Sequence, residues 1–476
     1  MKKEQLIERL KKTNESSKRK VNEDKKKIDV DNIATTTTRN SPFNHHQQSN
    51  QNVTQTVNSD NMKIIGITGT KGKSSVAYMV HEYLKLIGKK SVLYSTVKID
   101  SPISYNAADE PVENPLRDEK MLLDILEEAV EYEAEYLIME VNERAIKKGY
   151  TKDIPFDIRV ITNINPKHNY FYDDYLEIKK SFFTEFNDSN VTCIFGADEK
   201  ELFDSLYNIN NNKKVTYMSN YVANVKGIEL SKVDYKMTGS TGHLDSIDGL
   251  SFCCLHNNIE EVVTTNLPFF YNALNIMCVI SILGTLNVLD YQTFKEYISD
   301  IKIPGRDEVI KASGRTIIIS PSVSPQLELL KKYQEREEIK GIKVICGTSG
   351  LGLKNRRTDF SEEKYIEEKE VSVNFAFNYI KRYASKVYVT VADSAATNKE
   401  ELLNYQAGFL GNVEHRTFID RKEAILTAIT ESNEGDVIYI SGRGNRRVMC
   451  DTYDSIKLIL DKEVVLEVLR RLKWGA

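Results

Sequence analysis

The stretch Ile67-Thr68-Gly69-Thr70-Lys71-Gly72-Lys73-Ser74-Ser75 carries the sharpest chemical signal in the sequence. A short apolar run, Ile64 to Ile67, leads into a glycine-rich turn, and Ser74 to Leu86 follow at helical spacing. Such a turn lets successive backbone N–H groups, and the helix start behind them, point at phosphate oxygens. The pattern predicts that Lys73 neutralises the terminal phosphates of a nucleotide and that Ser74 offers its hydroxyl to Mg²⁺. Gly69, Thr70, Lys71, Gly72 and Ser75 complete the nucleotide-binding turn. The usual phosphate loop has a glycine where this chain has Ile67, so the motif is a shorter variant.

Other residues along the chain suit the same chemistry. Glu140 closes the apolar run Tyr136 to Met139, and a carboxylate at the carboxyl end of a parallel strand lies where open α/β sheets bind ligands. Beside a phosphate loop it suits Mg²⁺, although a lone strand-end glutamate is as often only solvated. His168, one of 7 histidines, follows the strand-like run Ile158 to Ile161 and is placed to ligate a metal. Lys179 in Tyr175-Leu176-Glu177-Ile178-Lys179 reads by itself as a solvated helix charge. Asn272 and Asn275 can pair with a base edge or cap a helix. Arg306, in Pro304-Gly305-Arg306-Asp307-Glu308, offers a permanent charged fork suited to a transferring phosphoryl group.

In this order the motifs resemble those of the Mur ligase superfamily, which includes peptidoglycan-building ligases, folylpolyglutamate synthases and poly-glutamate capsule synthetases. The turn matches that family's Thr-Gly-Thr-x-Gly-Lys-Ser/Thr. Glu140-Val141 matches a Glu-Val-Ser-like element, with Asn142 and Glu143 in place of serines. Thr162 to His168 is similar to Thr-Asn-Ile-x-x-Asp-His, with Lys167 for the aspartate, and Tyr175 to Lys179 to Tyr-x-x-x-Lys. The resemblance implies catalytic roles for Lys73, Glu140, His168, Lys179 and Arg306. It implies metal ligation by Ser74, Glu140 and His168, and a Lys179 that in several members is carbamylated. It further implies adenine contacts from Asn272 and Asn275, and an Arg306 that reaches the terminal phosphate when domains close.

Ser320-Pro321-Ser322-Val323-Ser324-Pro325 stands where many members have Asp-Tyr-Ala-His-x-Pro. Ser320 thus joins the nucleotide contacts, with ribose binding made differently. Gly352-Leu353 replaces an Arg-Asp pair, and Asp393-Ser394-Ala395-Ala396 stands where diaminopimelate-adding members have Asp-Asn-Pro-Arg. Asp420 to Ile425 and Ser441 to Asn445 are similar to Asp-Arg-x-x-Ala-Ile and Gly-Lys-Gly-x-Glu. The set most resembles the UDP-N-acetylmuramoyl-tripeptide synthetase branch over about 63 to 460. The uridine-binding N-terminal domain of that branch has no counterpart in the pattern.

These residues need a scaffold, and 476 residues suffice for two or three domains. Residues 1–61 read as a disordered polar tail with too little apolar surface to offset ordering entropy. Residues 62–303 read as a parallel-sheet ATP-binding central domain of P-loop type, with a β-rich section at about 213–263. Residues 304–476 read as a Rossmann-like α/β domain. The fold class is therefore α/β.

A hydrophobic share of 41%, a charged share of 28% and a net charge of −4 describe a globular chain without the basic excess of a nucleic-acid binder. The 6 scattered cysteines show no zinc spacing and suit a reducing compartment. No apolar run reaches membrane-spanning length, and a cytoplasmic location is expected. The expected reaction joins a small-molecule carboxylate acceptor to an amino acid donor, using ATP and Mg²⁺. Two alternatives stay open: the same chemistry on a non-UDP substrate, and a nucleotide-binding partner protein that has lost ligation.

Overall fold

A computed structural model of the chain describes residues 62–101, 119–165, 174–185, 190–209, 212–219, 228–240, 246–323, 326–348, 362–392, 398–450 and 456–475. The N-terminal tail, His168, Gly352-Leu353 and Asp393 to Ala396 lie outside the described residues.

Two sheets organise the chain. The larger is built from β1 (Lys63–Thr68), β2 (Ser91–Tyr94), β3 (Ile99–Asp100), β4 (Tyr136–Glu140), β5 (Ile158–Ile161), β6 (Thr192–Gly196), β7 (Lys213–Ser219), β8 (Tyr235–Ser240), β9 (Leu250–His256) and β10 (Ile259–Thr265). Its order is β10-β9-β8-β7-β6-β5-β1-β4-β2-β3. The strands from β2 across to β8 pair in parallel, whereas β3, β9 and β10 pair antiparallel. Strand β1 is central, between β4 and β5.

Parallel strands covered on both faces read as continuous apolar runs, and β1, β4 and β5 do so. Alternation along β1 sends Ile65 and Ile67 into one core and Ile64 into the other. Helix α1 (Lys73–Leu86) and helix α2 (Tyr271–Thr285) cover the first face with Val76, Val80, Ile276 and Val279. On the second face, helix Glu119–Glu131 contributes Leu122, Ile125 and Leu126. Helix Tyr175–Thr184 adds Ile178, Phe182 and Phe183.

The section expected to be β-rich supplies β7 to β10, and all four join the larger sheet. The β9–β10 hairpin turns on Asn257 and Asn258, both at positive φ (49° and 62°), as a two-residue hairpin requires.

The second sheet contains β11 (Glu308–Ala312), β12 (Arg315–Ile319), β13 (Ile342–Cys346), β14 (Lys386–Val389), β15 (His415–Thr417) and β16 (Val437–Ile440), in the order β11-β12-β16-β13-β14-β15. Only β11 pairs antiparallel there. Helix Glu362–Tyr383 was not apparent in the sequence, because charged residues crowd its first half. Val373, Phe377 and Ile380 nevertheless recur at helical spacing and enter the core. Among the described residues no helix is long and apolar enough to cross a membrane. The described cysteines Cys193, Cys253, Cys254, Cys278 and Cys346 are free thiols.

Candidate active site

The carboxyl ends of β1, β4 and β5 converge, and the phosphate-loop residues sit there. Glu140 pairs in register with Ile67, the residue that enters the turn. The turn is stitched to the loop after β5. Thr70 N–H donates to the Asn163 carbonyl (2.9 Å), Lys71 N–H donates to Asn163 Oδ1 (3.0 Å), and Thr162 Oγ1 donates to the Lys71 carbonyl (2.6 Å). Gly69 and Gly72 take φ of +143° and +82°. A Cβ at Gly69 would lie 2.1 Å from Thr162 Oγ1, and one at Gly72 2.3 Å from Asn275 Oδ1. Both the backbone conformation and the crowding demand glycine. Lys73 folds its ammonium over the turn, donating to the carbonyls of Gly69 (2.8 Å) and Thr70 (3.3 Å).

Thr96 is the hub of the site. Its Oγ1 is 2.9 Å from Ser74 Oγ, 2.9 Å from Glu140 Oε2 and 2.7 Å from an Arg306 terminal nitrogen. One hydroxyl can donate once and accept twice. Thr96 therefore donates to Glu140 and accepts from Ser74 and Arg306. Glu140 Oε2 also accepts from Ser95 Oγ and from Thr96 N–H, each at 2.9 Å, so these bonds all fall on one carboxylate oxygen. Burial would raise the Glu140 carboxyl, but Lys73, Arg306 and the Thr96 amide outweigh it and hold it below the ordinary value. A hydroxyl and an ionised carboxylate on one hub form a hard-oxygen set that fits a magnesium ion.

Lys179 is completely buried and does not behave as the solvated helix charge its surroundings in sequence suggest. Its ammonium donates to Thr68 Oγ1 (2.9 Å) and pairs with Glu143 Oε2 (3.3 Å). Burial pushes Lys179 down to about 8 despite the Glu143 carboxylate. Burial would raise Glu143, yet Lys179 and Lys73 hold it at about 2. Glu143 opens a short helix (Glu143–Lys147) capped by Asn142, whose Oδ1 accepts from Ala145 N–H at 2.9 Å. The residues that depart from the family's serines are thus both used.

Asn272 and Asn275 lie buried on the first turn of α2, with Asn275 Nδ2 donating to Asn272 Oδ1 at 3.0 Å. They line a cavity of about 300 Å³ together with Lys71, Gly72, Arg306 and Ser320. Its apolar wall includes Ile161, Ile164, Phe195 and Leu202. Ser75 lines it too, whereas Ser74 faces the Thr96 hub. Arg306 reaches across from the connection into the second sheet, and among the described residues its buried Nε has no hydrogen-bond partner. The other expected site residues are brought around this one region, and His168 lies outside the described residues.

The sequence motifs did not include Ser95 or Thr96, and Asn163 entered only as part of the Thr162 to His168 match. For Ser95 and Thr96 the signal was positional: they follow the carboxyl end of a parallel strand, as Glu140 ends one.

The chain is similar to several known proteins. The family model described as the Mur ligase middle domain matches residues 67–283. A UDP-N-acetylmuramoyl-L-alanyl-D-glutamate–2,6-diaminopimelate ligase of Helicobacter pylori is 22% identical over 432 residues, 87% of this chain and 85% of that protein. A MurF ligase from Thermotoga maritima in complex with ADP superposes with a TM-score of 0.52 at 14% identity, over 86% of this chain and 80% of that one. A folylpolyglutamate synthase from the same organism gives 0.54 at 15% identity, over 80% and 86%. The matched middle segment contains the turn, Glu140 and Lys179, and the relatives extend the likeness across both sheets. The chain thus carries a Mur ligase middle domain over residues 67–283 and is similar over most of its length to ligases of that kind.

Proposed function

We propose that this ligase phosphorylates a small-molecule carboxylate with Mg·ATP and passes the acyl group to the amine of an amino acid. The observation that carries the reading is the hydrogen-bonded hub at Thr96, which ties Ser74 of the phosphate turn, Glu140 of β4 and Arg306 of the connection into the second sheet into one unit.

Bound magnesium would neutralise the β- and γ-phosphate oxygens, with Ser74 and Glu140 as its protein ligands and His168 as a further candidate. The chain's own groups do the rest. The backbone amides of Gly69 to Ser74 cradle the phosphates. Lys73 leaves its carbonyl partners for the terminal phosphate, and Arg306 meets the charge that spreads over the transferring group. The acceptor carboxylate attacks the γ-phosphorus, the bond to the ADP oxygen breaks, and an acyl phosphate forms. A neutral amine then attacks the acyl carbon; phosphate leaves and the nitrogen loses a proton. Lys179, held by Thr68 and Glu143 beside the turn, positions the acceptor carboxylate. Closure around Arg306 keeps water from the acyl phosphate.

The amine donor in this reading is an amino acid other than diaminopimelate, because Ala396 supplies no cation where diaminopimelate-adding members carry arginine. Likeness to the H. pylori ligase favours a peptidoglycan-precursor acceptor. A phosphate-release screen of amino acids against acceptors, with and without UDP-linked muramoyl peptides, tests the proposal. Release that requires both an amino acid and a carboxylate acceptor is expected. Phosphate release indifferent to every acceptor would contradict it.

A further inference from the structure

We propose that Lys179 works as an unmodified ammonium and that Glu143 is its built-in counter-anion, in place of the carbamylated lysine that the motif resemblance implies. The inference deepens the ligase reading and rests on it: the pair fixes which charge the acceptor carboxylate meets beside the phosphate turn.

Lys179 is fully buried on the helix Tyr175–Thr184, and its surroundings are those of a cation. Its ammonium donates to Thr68 Oγ1 at 2.9 Å and to Glu143 Oε2 at 3.3 Å. Thr68 can only accept there, because its own hydroxyl hydrogen goes to the Val141 carbonyl at 2.7 Å. The Tyr175 ring adds its electron-rich face, with Lys179 Nζ 5.4 Å from the centroid. The anion is held in place as well. Glu143 is the first residue of the short helix Glu143–Lys147, and the Asn142 cap fixes where its side chain leaves the backbone.

A carbamate is the other state open to such a lysine. Burial holds Lys179 at about 8, low enough to leave a neutral fraction near neutral pH. A neutral amine adds to carbon dioxide: the nitrogen lone pair forms an N–C bond, one C–O π pair moves onto oxygen, and the nitrogen gives up a proton. The step turns a cation into an anion.

Donor count and charge both oppose that step in this pocket. An ammonium has three hydrogens, and Thr68 and Glu143 use two of them. A carbamate nitrogen keeps one, so one of the two contacts is lost. The new anion would also lie beside the Glu143 carboxylate in a place closed to solvent, and like charges so close disfavour each other. The Glu143 charge outweighs that of Lys73 at this position. A serine at 143, which the matched element carries, would supply no such charge. As an ammonium, Lys179 offers the charge that draws in an acceptor carboxylate, and the enzyme works without carbon dioxide.

Carbon-13 NMR of the full-length protein in ¹³C-bicarbonate tests the assignment. Wild type should show no carbamate resonance that Lys179→Arg removes, and its acceptor-dependent ADP release should be unchanged when bicarbonate and carbon dioxide are removed. Glu143→Ser should gain a carbamate resonance, absent again when Lys179→Arg is added. Glu143→Gln, which keeps the size of the side chain, should gain it too. A Lys179-dependent carbamate in wild type overturns the proposal, and so does the absence of label from both Glu143 variants. The spectra do not depend on turnover, so failure of the ligase reading shows instead as phosphate release indifferent to acceptor.

Discussion

The ammonium of Lys179 lies 3.3 Å from the carboxylate of Glu143 and 2.9 Å from the hydroxyl of Thr68, in a position closed to solvent. Removing one partner of such a pair strands a buried charge. Glu143→Gln should therefore lower stability by about 1–3 kcal/mol at neutral pH. The Lys179 and Lys73 ammoniums hold Glu143 at about 2, below the ordinary glutamate value of 4.5. Its contribution is thus complete above 4.5 and lost as the pH falls toward 2. Urea unfolding at several pH values should show a flatter acid decline for the variant than for wild type.

Gly72→Ala should damage folding and nucleotide binding together. The new methyl would meet Asn275 Oδ1 at 2.3 Å, at a φ of +82° that side chains avoid. A loss of about 2 kcal/mol or more is expected for strain and crowding combined. Thermal unfolding with and without Mg·ATP measures both effects.

Arg306→Lys should keep the fold and slow the chemistry. Lysine cannot reproduce the planar fork that holds Thr96 Oγ1 at 2.7 Å. A fall of roughly 10²-fold in acceptor-dependent ADP release is expected, on the scale of losing one charge-stabilising donor. Steady-state turnover beside an unchanged unfolding midpoint would establish it.

Asp461→Asn should destabilise the part of the chain built on the second sheet without touching the nucleotide. Arg421 and Asp461 are both fully inaccessible, with two contacts of 2.7 and 2.8 Å, and Arg421 also donates to the Ser441 carbonyl. Breaking such a pair costs about 3–5 kcal/mol. Denaturant unfolding followed by the fluorescence of Trp474, which packs on Arg315, reads it out.

Much of this architecture was legible because its causes are local. Gly69 and Gly72 are forced by backbone shape, and Glu140 by its place at the end of an apolar strand. The strand runs at 136, 158, 316, 343 and 437 are apolar because they are covered on both faces. Other features were not legible because their causes are tertiary. Nothing near Thr96 in sequence announces that Ser74, Glu140 and Arg306 will meet on its hydroxyl. Glu143 looked like a departure from a serine until the fold set it against Lys179. Asp307 carries no signal of its own between Arg306 and Glu308, and only the fold brings Tyr271, Gln326 and Tyr439 around it.

The central claim is that the turn from Gly69 to Ser74 and the Glu140 carboxylate together hold Mg·ATP. Titration calorimetry of wild type, Lys73→Ala and Glu140→Gln with ATP, in the presence and absence of Mg²⁺, addresses it directly. The structure predicts magnesium-dependent binding at one site per chain, abolished in Lys73→Ala and stripped of its magnesium dependence in Glu140→Gln. Absence of binding by wild type, or binding that both variants leave intact, would contradict it.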